Sequence, residues 1–104
     1  MCEIYAGQDP ERYHPVNRSV RIGGHSTSIQ LEGAFWVLID EIASRQGMST
    51  PRFLSTLYDE ALELNGTITN FSSLLRTSCL IYLMSGERPV VAAPRLHAMS
   101  VVNG

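Results

Sequence analysis

Residues Ser26 to Ser49 read Ser-Thr-Ser-Ile-Gln-Leu, then an apolar segment, then Arg-Gln-Gly-Met-Ser. This order predicts one short strand, a helix, a glycine stop and the start of a second helix. A single strand leaves its backbone donors and acceptors unpaired, and even a two-stranded ribbon is marginal in water. The simplest partner is the same strand of a second copy, placed antiparallel about a two-fold axis. The stretch therefore predicts a dimer that shares a β ribbon.

The residues just upstream offer another pairing partner. In the run 18–22, Val20 and Ile22 alternate with Ser19 and Arg21, and Gly23-Gly24 separates this run from the next one. A Gly-Gly pair between two alternating runs is a hairpin signal. The second run could pair within the chain, with another chain, or with both. In either case it has two faces, one with Thr27, Ile29 and Leu31, the other with Ser26, Ser28 and Gln30.

Three helices are expected after this strand. The first spans Glu32 to Gln46, where apolar residues follow helical spacing, and Gly47 is placed to end it. The second begins with Ser49 or Thr50 as its cap and ends at Asn65-Gly66. Asn70 is expected to cap a third helix that runs to about Ser85.

The 104 residues suit one domain, and 44% hydrophobic residues are enough for a packed core. We expect an irregular arm over residues 1–17, with a short strand near Ile4, a domain over 18–86 and a flexible tail over 87–104. The start of the chain has no basic, then apolar, signal-peptide pattern, and no apolar run reaches membrane-spanning length. The expected location is the cytoplasm.

Little in the sequence suggests catalysis. Cys2 and Cys79 are far apart and lie in no metal-ligand spacing, so neither a disulfide framework nor a metal site is expected. The three histidines lie outside the three predicted helices, and no nucleophile-base spacing or phosphate loop is visible. We therefore predict neither an enzyme nor a bound cofactor.

Charge is distributed unevenly along the chain. The net charge is -2, and all eight basic residues are arginine. Residues 18–31 carry Arg18, Arg21 and His25 with no acid, whereas residues 32–65 carry six acids against two arginines. The strand end is thus basic and the helical body acidic, which suits contact with DNA, although an ordinary salt-bridged surface gives a similar pattern.

The order strand, helix, Gly-x-Ser turn, helix resembles the ribbon-helix-helix family of DNA-binding proteins. The stretch from Arg18 to Leu31 looks like the start of a bacterial subfamily, which also has a third helix similar to the one that begins at Asn70. The resemblance covers about residues 18–83. It implies a mainly α fold with a short β ribbon, an intertwined homodimer and an additional third helix, with sequence-specific transcriptional regulation as the function and double-stranded DNA as the partner.

The resemblance also implies site residues. Outward strand residues of the family read base edges in the major groove, which here gives Ser26, Ser28 and Gln30. The start of the second helix holds phosphate, which gives Ser49 and Thr50, with Arg52 close by. Because this strand face lacks Arg and Lys, further phosphate contacts would come from Arg18, Arg21 and His25.

The same residues also have structural explanations that need no DNA binding. The polar strand face could be merely solvated, Arg21 an ordinary surface residue, and Ser49 and Thr50 helix caps alone. The dimer interface is expected to contain Ile29, Leu31, Phe35, Trp36, Leu38, Ile39, Phe53 and Leu57. The main alternative function is a dimeric interaction module, antitoxin-like or an adaptor, whose third helix or tail binds another protein. Dimers could also pair on DNA as a tetramer.

Overall fold

The computed structural model describes residues 2–86. A four-residue helix and a 3₁₀ turn precede a β hairpin, and three longer helices follow it. In chain order the elements are α1 (Glu3–Ala6), the 3₁₀ turn (Pro10–Arg12), β1 (Pro15–Ile22), β2 (His25–Glu32), α2 (Gly33–Arg45), α3 (Thr50–Asn65) and α4 (Phe71–Ser85). The expected tail over 87–104 lies outside the described residues.

The strand partner of β2 comes from the same chain. β1 and β2 pair antiparallel in a register that sets Asn17 opposite Gln30 and Ser19 opposite Ser28. Gly23 and Gly24, with φ of +60° and +82°, form the two-residue connection, as expected for a turn that matches the twist of a hairpin. Of the pairings that the sequence left open, the structure shows the one within the chain. Pairing of the other edge of β2 with a second copy stays a prediction.

The N-terminal segment is more ordered than the sequence suggested. Glu3–Ala6 is helical, so the short strand expected near Ile4 is not present there. β1 begins at Pro15 rather than near Arg18. Proline cannot donate to a ladder, but it is tolerated as the first residue of an edge strand, and β1 is such a strand in this two-stranded sheet.

Four apolar side chains on the helix-facing side of the hairpin close the core. Val20 and Ile22 on β1, and Ile29 and Leu31 on β2, are all buried against the helices. Each such side chain contributes about 1.5–3 kcal/mol by leaving water. The helices contribute the rest of this core, namely Trp36, Ile39, Ile42 and Ala43 from α2, Phe53 and Leu54 from α3, and Leu75, Cys79 and Tyr82 from α4.

The helix starts follow the predicted caps. Ser49 Oγ accepts the N–H of Arg52 at 3.3 Å, and Asn70 Oδ1 accepts the N–H of Ser73 at 3.0 Å. Each side chain satisfies a backbone donor that the helix itself cannot. The capping residues thus fix where α3 and α4 begin, and α2 also lies within one residue of its expected bounds at each end.

α4 is held to the rest of the domain by polar as well as apolar contacts. Arg76 binds Glu32 with two hydrogen bonds, at 3.0 and 3.3 Å, and its guanidinium lies over the ring of Phe35. Tyr82 Oη donates to Glu41 on α2. Cys79 is fully buried, and burial raises the pKa of its thiol to about 11. The third helix is therefore an integral part of the fold. No helix within residues 2–86 has the length and apolar character needed to span a membrane.

Candidate nucleic-acid interface

The solvent side of the hairpin carries six exposed polar side chains. They stand on one face because the register pairs them across the two strands, and we call this surface the polar ribbon face: Asn17, Ser19 and Arg21 on β1, and Ser26, Ser28 and Gln30 on β2. Directly opposed side chains in an antiparallel pair have Cβ atoms about 5 Å apart. The face thus presents closely spaced amide, hydroxyl and guanidinium groups, and none of the six is an acid.

The three predicted base-contacting residues therefore lie together. Ser26, Ser28 and Gln30 are all exposed and occupy alternate positions of β2. The sequence prediction missed that β1 adds Asn17 and Ser19 to the same face. The signal was present in the alternation of the run 18–22, but the start of β1 at Pro15 was needed to bring Asn17 into the strand.

Arg21 is the charged member of the polar ribbon face. Its Nη2 donates to the carbonyl of Gly24 at 3.1 Å, which holds the side chain beside the turn. A guanidinium has five N–H donors. This contact therefore leaves donors that can bind a phosphate.

Arg18, although only three residues away, is placed differently. It is in phase with Val20 and Ile22, so it lies on the helix-facing side of β1. Its Nη1 and Nη2 bind Asp40 Oδ1 and Oδ2 at 2.8 and 3.0 Å, and its guanidinium lies 4.4 Å from the centre of the Trp36 ring. The hydrogen bonds from Arg18 hold the pKa of the Asp40 carboxyl below its usual value. The charge of Arg18 is balanced inside the domain, so the structure does not favour the predicted phosphate contact.

The N-terminus of α3 also involves Asp40. Thr50 Oγ1 donates to Asp40 Oδ1 at 2.7 Å, and Ser49 Oγ already accepts the N–H of Arg52. Pro51 has no N–H to offer. The backbone N–H groups of Ser49 and Thr50 are left for an anion, and the Asp40 carboxylate lies beside them. This arrangement weakens the predicted phosphate site at Ser49 and Thr50, while the side chain of Arg52 remains exposed.

His25 lies at the hairpin end, outside the polar ribbon face. It pairs with Ile22 and lines a shallow depression of about 370 Å³ together with Tyr58 and Asn70. No group of three His, Cys, Asp or Glu side chains among residues 2–86 is arranged to hold a metal ion. His25 directly follows the turn, beside which Arg21 lies, but its side chain is on the opposite face of the hairpin from Arg21.

The second edge of β2 is open. In a two-residue turn, the carbonyl of Ile22 and the N–H of His25 form the closing hydrogen bond, and bonded pairs then alternate along the ladder. The backbone groups of Ser26, Ser28 and Gln30 are therefore directed away from β1. Of these, the Gln30 carbonyl accepts a long hydrogen bond of 3.4 Å from Ser72 Oγ. Exposed strand edges of this kind are templates for pairing with another strand.

The residues expected at a dimer interface divide into two groups. Ile29, Leu31, Trp36, Ile39 and Phe53 are buried by their own chain, whereas Phe35, Leu38 and Leu57 are only partly covered. A second copy that binds the folded chain could contact only the partly covered group. Other apolar surface is exposed on α2 and α4, at Val37, Leu80, Ile81, Leu83 and Met84.

Comparisons with known proteins agree with this architecture. The profile of the ribbon-helix-helix domain matches residues 15–83. A solved structure of an uncharacterized protein from Bordetella pertussis Tohama I is similar, with a TM-score of 0.81 and 37% sequence identity over 94% of this chain and 81% of that one. No sequence match was found among curated proteins. The strand, helix and turn order, the hairpin and the matched residues together show that the chain belongs to the ribbon-helix-helix domain family.

Proposed function

We propose that the protein is a homodimeric, sequence-specific DNA-binding regulator of transcription. It would act in the cytoplasm and read the major groove with the polar ribbon face. One observation carries this proposal: six exposed polar side chains, none of them acidic, stand on one face of a hairpin whose other face packs four apolar side chains into the core. The one carboxylate in phase with these residues on β2, that of Glu32 at the end of the strand, is bound by Arg76. The six exposed side chains therefore suit a polyanion. The membership of the ribbon-helix-helix family supports it, because that fold is generally a DNA-binding one.

Pairing of the two open β2 edges would build the dimer. The edge groups of Ser26 and Ser28 would bond to those of the second copy about a two-fold axis, which satisfies donors that the single chain leaves to solvent. The exposed apolar side chains of α2 and α4 provide further surface for the second copy. The resulting dimer would carry one continuous polar face.

The side chains on β2 would then read bases. Gln30 can bind the N6 and N7 atoms of an adenine with its amide, and the hydroxyls of Ser26 and Ser28 can donate or accept. Each good bidentate contact discriminates against a wrong base by about 1–3 kcal/mol. Sequence preference should therefore be sharpest at the base pair that Gln30 contacts.

Affinity should depend strongly on salt, because contacts to phosphates release counterions. A titration of fluorescent duplexes, first a random pool and then the sequence selected from it, at low and at moderate salt would test the proposal. We expect binding by a species of twice the 11.5 kDa chain mass, with log affinity falling linearly against log salt. A protein that binds no duplex at low salt, or binds with no salt dependence, would contradict it.

A dimeric interaction module without a DNA role is the second candidate. It is favoured by the exposed apolar side chains near the end of α4, at Leu80, Ile81, Leu83 and Met84, because a helix that is apolar on several sides usually packs against more than one neighbour. A stable dimer that binds no duplex in the same titration would favour this candidate.

A further inference from the structure

We infer that β1 is a phosphate-contacting strand that flanks the base-reading strands, so that Asn17, Ser19 and Arg21 hold the DNA backbone while β2 alone reads bases. The inference rests on the proposed function. It assigns to β1 a role separate from that of β2, although the two strands share one face.

The strand order follows from which edges are free. One edge of β2 is paired with β1, and the other is open along Ser26 and Ser28. Two copies joined at that edge form a sheet in the order β1, β2, β2 of the second copy, β1 of the second copy. Both β2 strands lie at the centre, and both β1 strands lie outside.

The sheet is wider than the major groove, and this difference assigns base contact to β2 and phosphate contact to β1. Neighbouring strands are about 4.8 Å apart, which puts each β2 about 2.4 Å and each β1 about 7 Å from the two-fold axis. The major groove is about 12 Å wide, so its walls lie about 6 Å from its centre. The β2 side chains therefore fit between the walls, and the β1 side chains meet the phosphates.

The chemistry of the two strands matches these positions. The exposed side chains of β2 on this face are uncharged, whereas β1 carries Arg21, the single charge among the six. Arginine, asparagine and serine are all common donors to phosphate oxygens. Arg18 is not placed for this part, because it lies on the helix-facing side of the hairpin and its charge is paired with Asp40.

Substitutions on the two strands should change DNA binding in different ways. Asn17→Ala and Arg21→Gln should weaken binding to the selected duplex and to single-base variants of it by the same factor. Because each dimer loses two contacts, Arg21→Gln should also reduce the salt slope by about 2. Gln30→Ala should instead abolish the preference at one base pair of each half-site and leave the salt slope unchanged.

Arg18→Gln is the matched control, since it removes a guanidinium from the same strand but from the helix-facing side. It should leave the salt slope unchanged at a temperature where circular dichroism shows the variant folded. The inference is overturned if Asn17→Ala changes the base preference, which would put β1 inside the groove, or if Arg21→Gln leaves the salt slope intact. Failure of the wild-type protein to bind any duplex would overturn the proposed function itself, which separates the two results.

Discussion

On the helix-facing side of the hairpin, Ile29 and Leu31 are 4% and 0% exposed, whereas Ser28 and Gln30, one residue away on the same strand, are open to solvent. The same contrast separates the two arginines of β1. Arg18 lies against Trp36 and binds Asp40 within the domain, and Arg21 lies on the solvent side beside the turn. Successive strand residues point to opposite faces, so one short hairpin carries both a core surface and a candidate binding surface. Changes on the two faces should therefore have separable consequences.

The largest difference should come from neighbouring residues of β2. Leu31→Ala removes a fully buried side chain and should lower the free energy of unfolding by about 2–4 kcal/mol. Gln30→Ala on the opposite face should change it by less than about 0.5 kcal/mol. Urea unfolding followed by circular dichroism measures both values. Equal losses for the two variants would contradict the assignment of the faces.

The turn decides which residues fall on which face, so it gives the next test. Gly24 has a φ of +82°, and a Cβ added there would meet no atom within 4 Å. Gly24→Ala should thus cost about 1 kcal/mol from backbone strain alone, since alanine disfavours a left-handed conformation. Gly24→Asn is the matched control and should cost less, because asparagine tolerates that conformation. Thermal unfolding measures the order, and an alanine variant as stable as the wild type would exclude the strained turn.

The smallest effect concerns the ion pair that distinguishes Arg18 from Arg21. The pKa of Asp40 is lowered in the folded chain, chiefly by hydrogen bonds from Arg18. As the pH falls, the Asp40 carboxylate therefore becomes protonated at a higher pH in the unfolded chain than in the folded chain. The stabilisation from the ion pair is fully present above the ordinary carboxyl pKa, and it is lost as the pH falls through the pKa of Asp40 in the folded chain. Because the Asp40 side chain is 44% exposed, solvent screening limits the contribution to about 0.5–1 kcal/mol.

Unfolding in urea at a series of pH values from about 6 down to about 3 measures this contribution. Asp40→Asn should flatten part of the acid-induced loss of stability that the wild type shows. Asp59→Asn removes an exposed carboxylate of the same type on α3 and should leave the profile as it is. Identical profiles for the wild type and Asp40→Asn would show that the pair contributes nothing measurable.

Much of the fold could be predicted because its determinants are local. Ser49 and Asn70 are capping residues that precede apolar periodic segments, and each begins a helix as expected. Gly23-Gly24 marks the hairpin turn because only glycine readily supplies two consecutive positive φ values. These signals act over a few residues, so the sequence alone reveals them.

The parts that escaped prediction depend on distant partners. Asp40 lies 22 residues from Arg18 in the chain, so no local pattern shows that it would hold that arginine and the hydroxyl of Thr50. His14 and Pro15 are typical of a loop, and only the edge position of β1 makes a strand start possible there. For the same reason the contribution of Asn17 to the polar ribbon face could not be seen.

The polar ribbon face is the proposed DNA-binding surface. Backbone amide chemical shifts, recorded by NMR while the selected duplex is titrated into the labelled protein, test it residue by residue. We expect the largest changes at Asn17 to Arg21 and at Ser26 to Gln30, with small ones along α4. Changes concentrated on α4, with the hairpin signals unmoved, would contradict the claim.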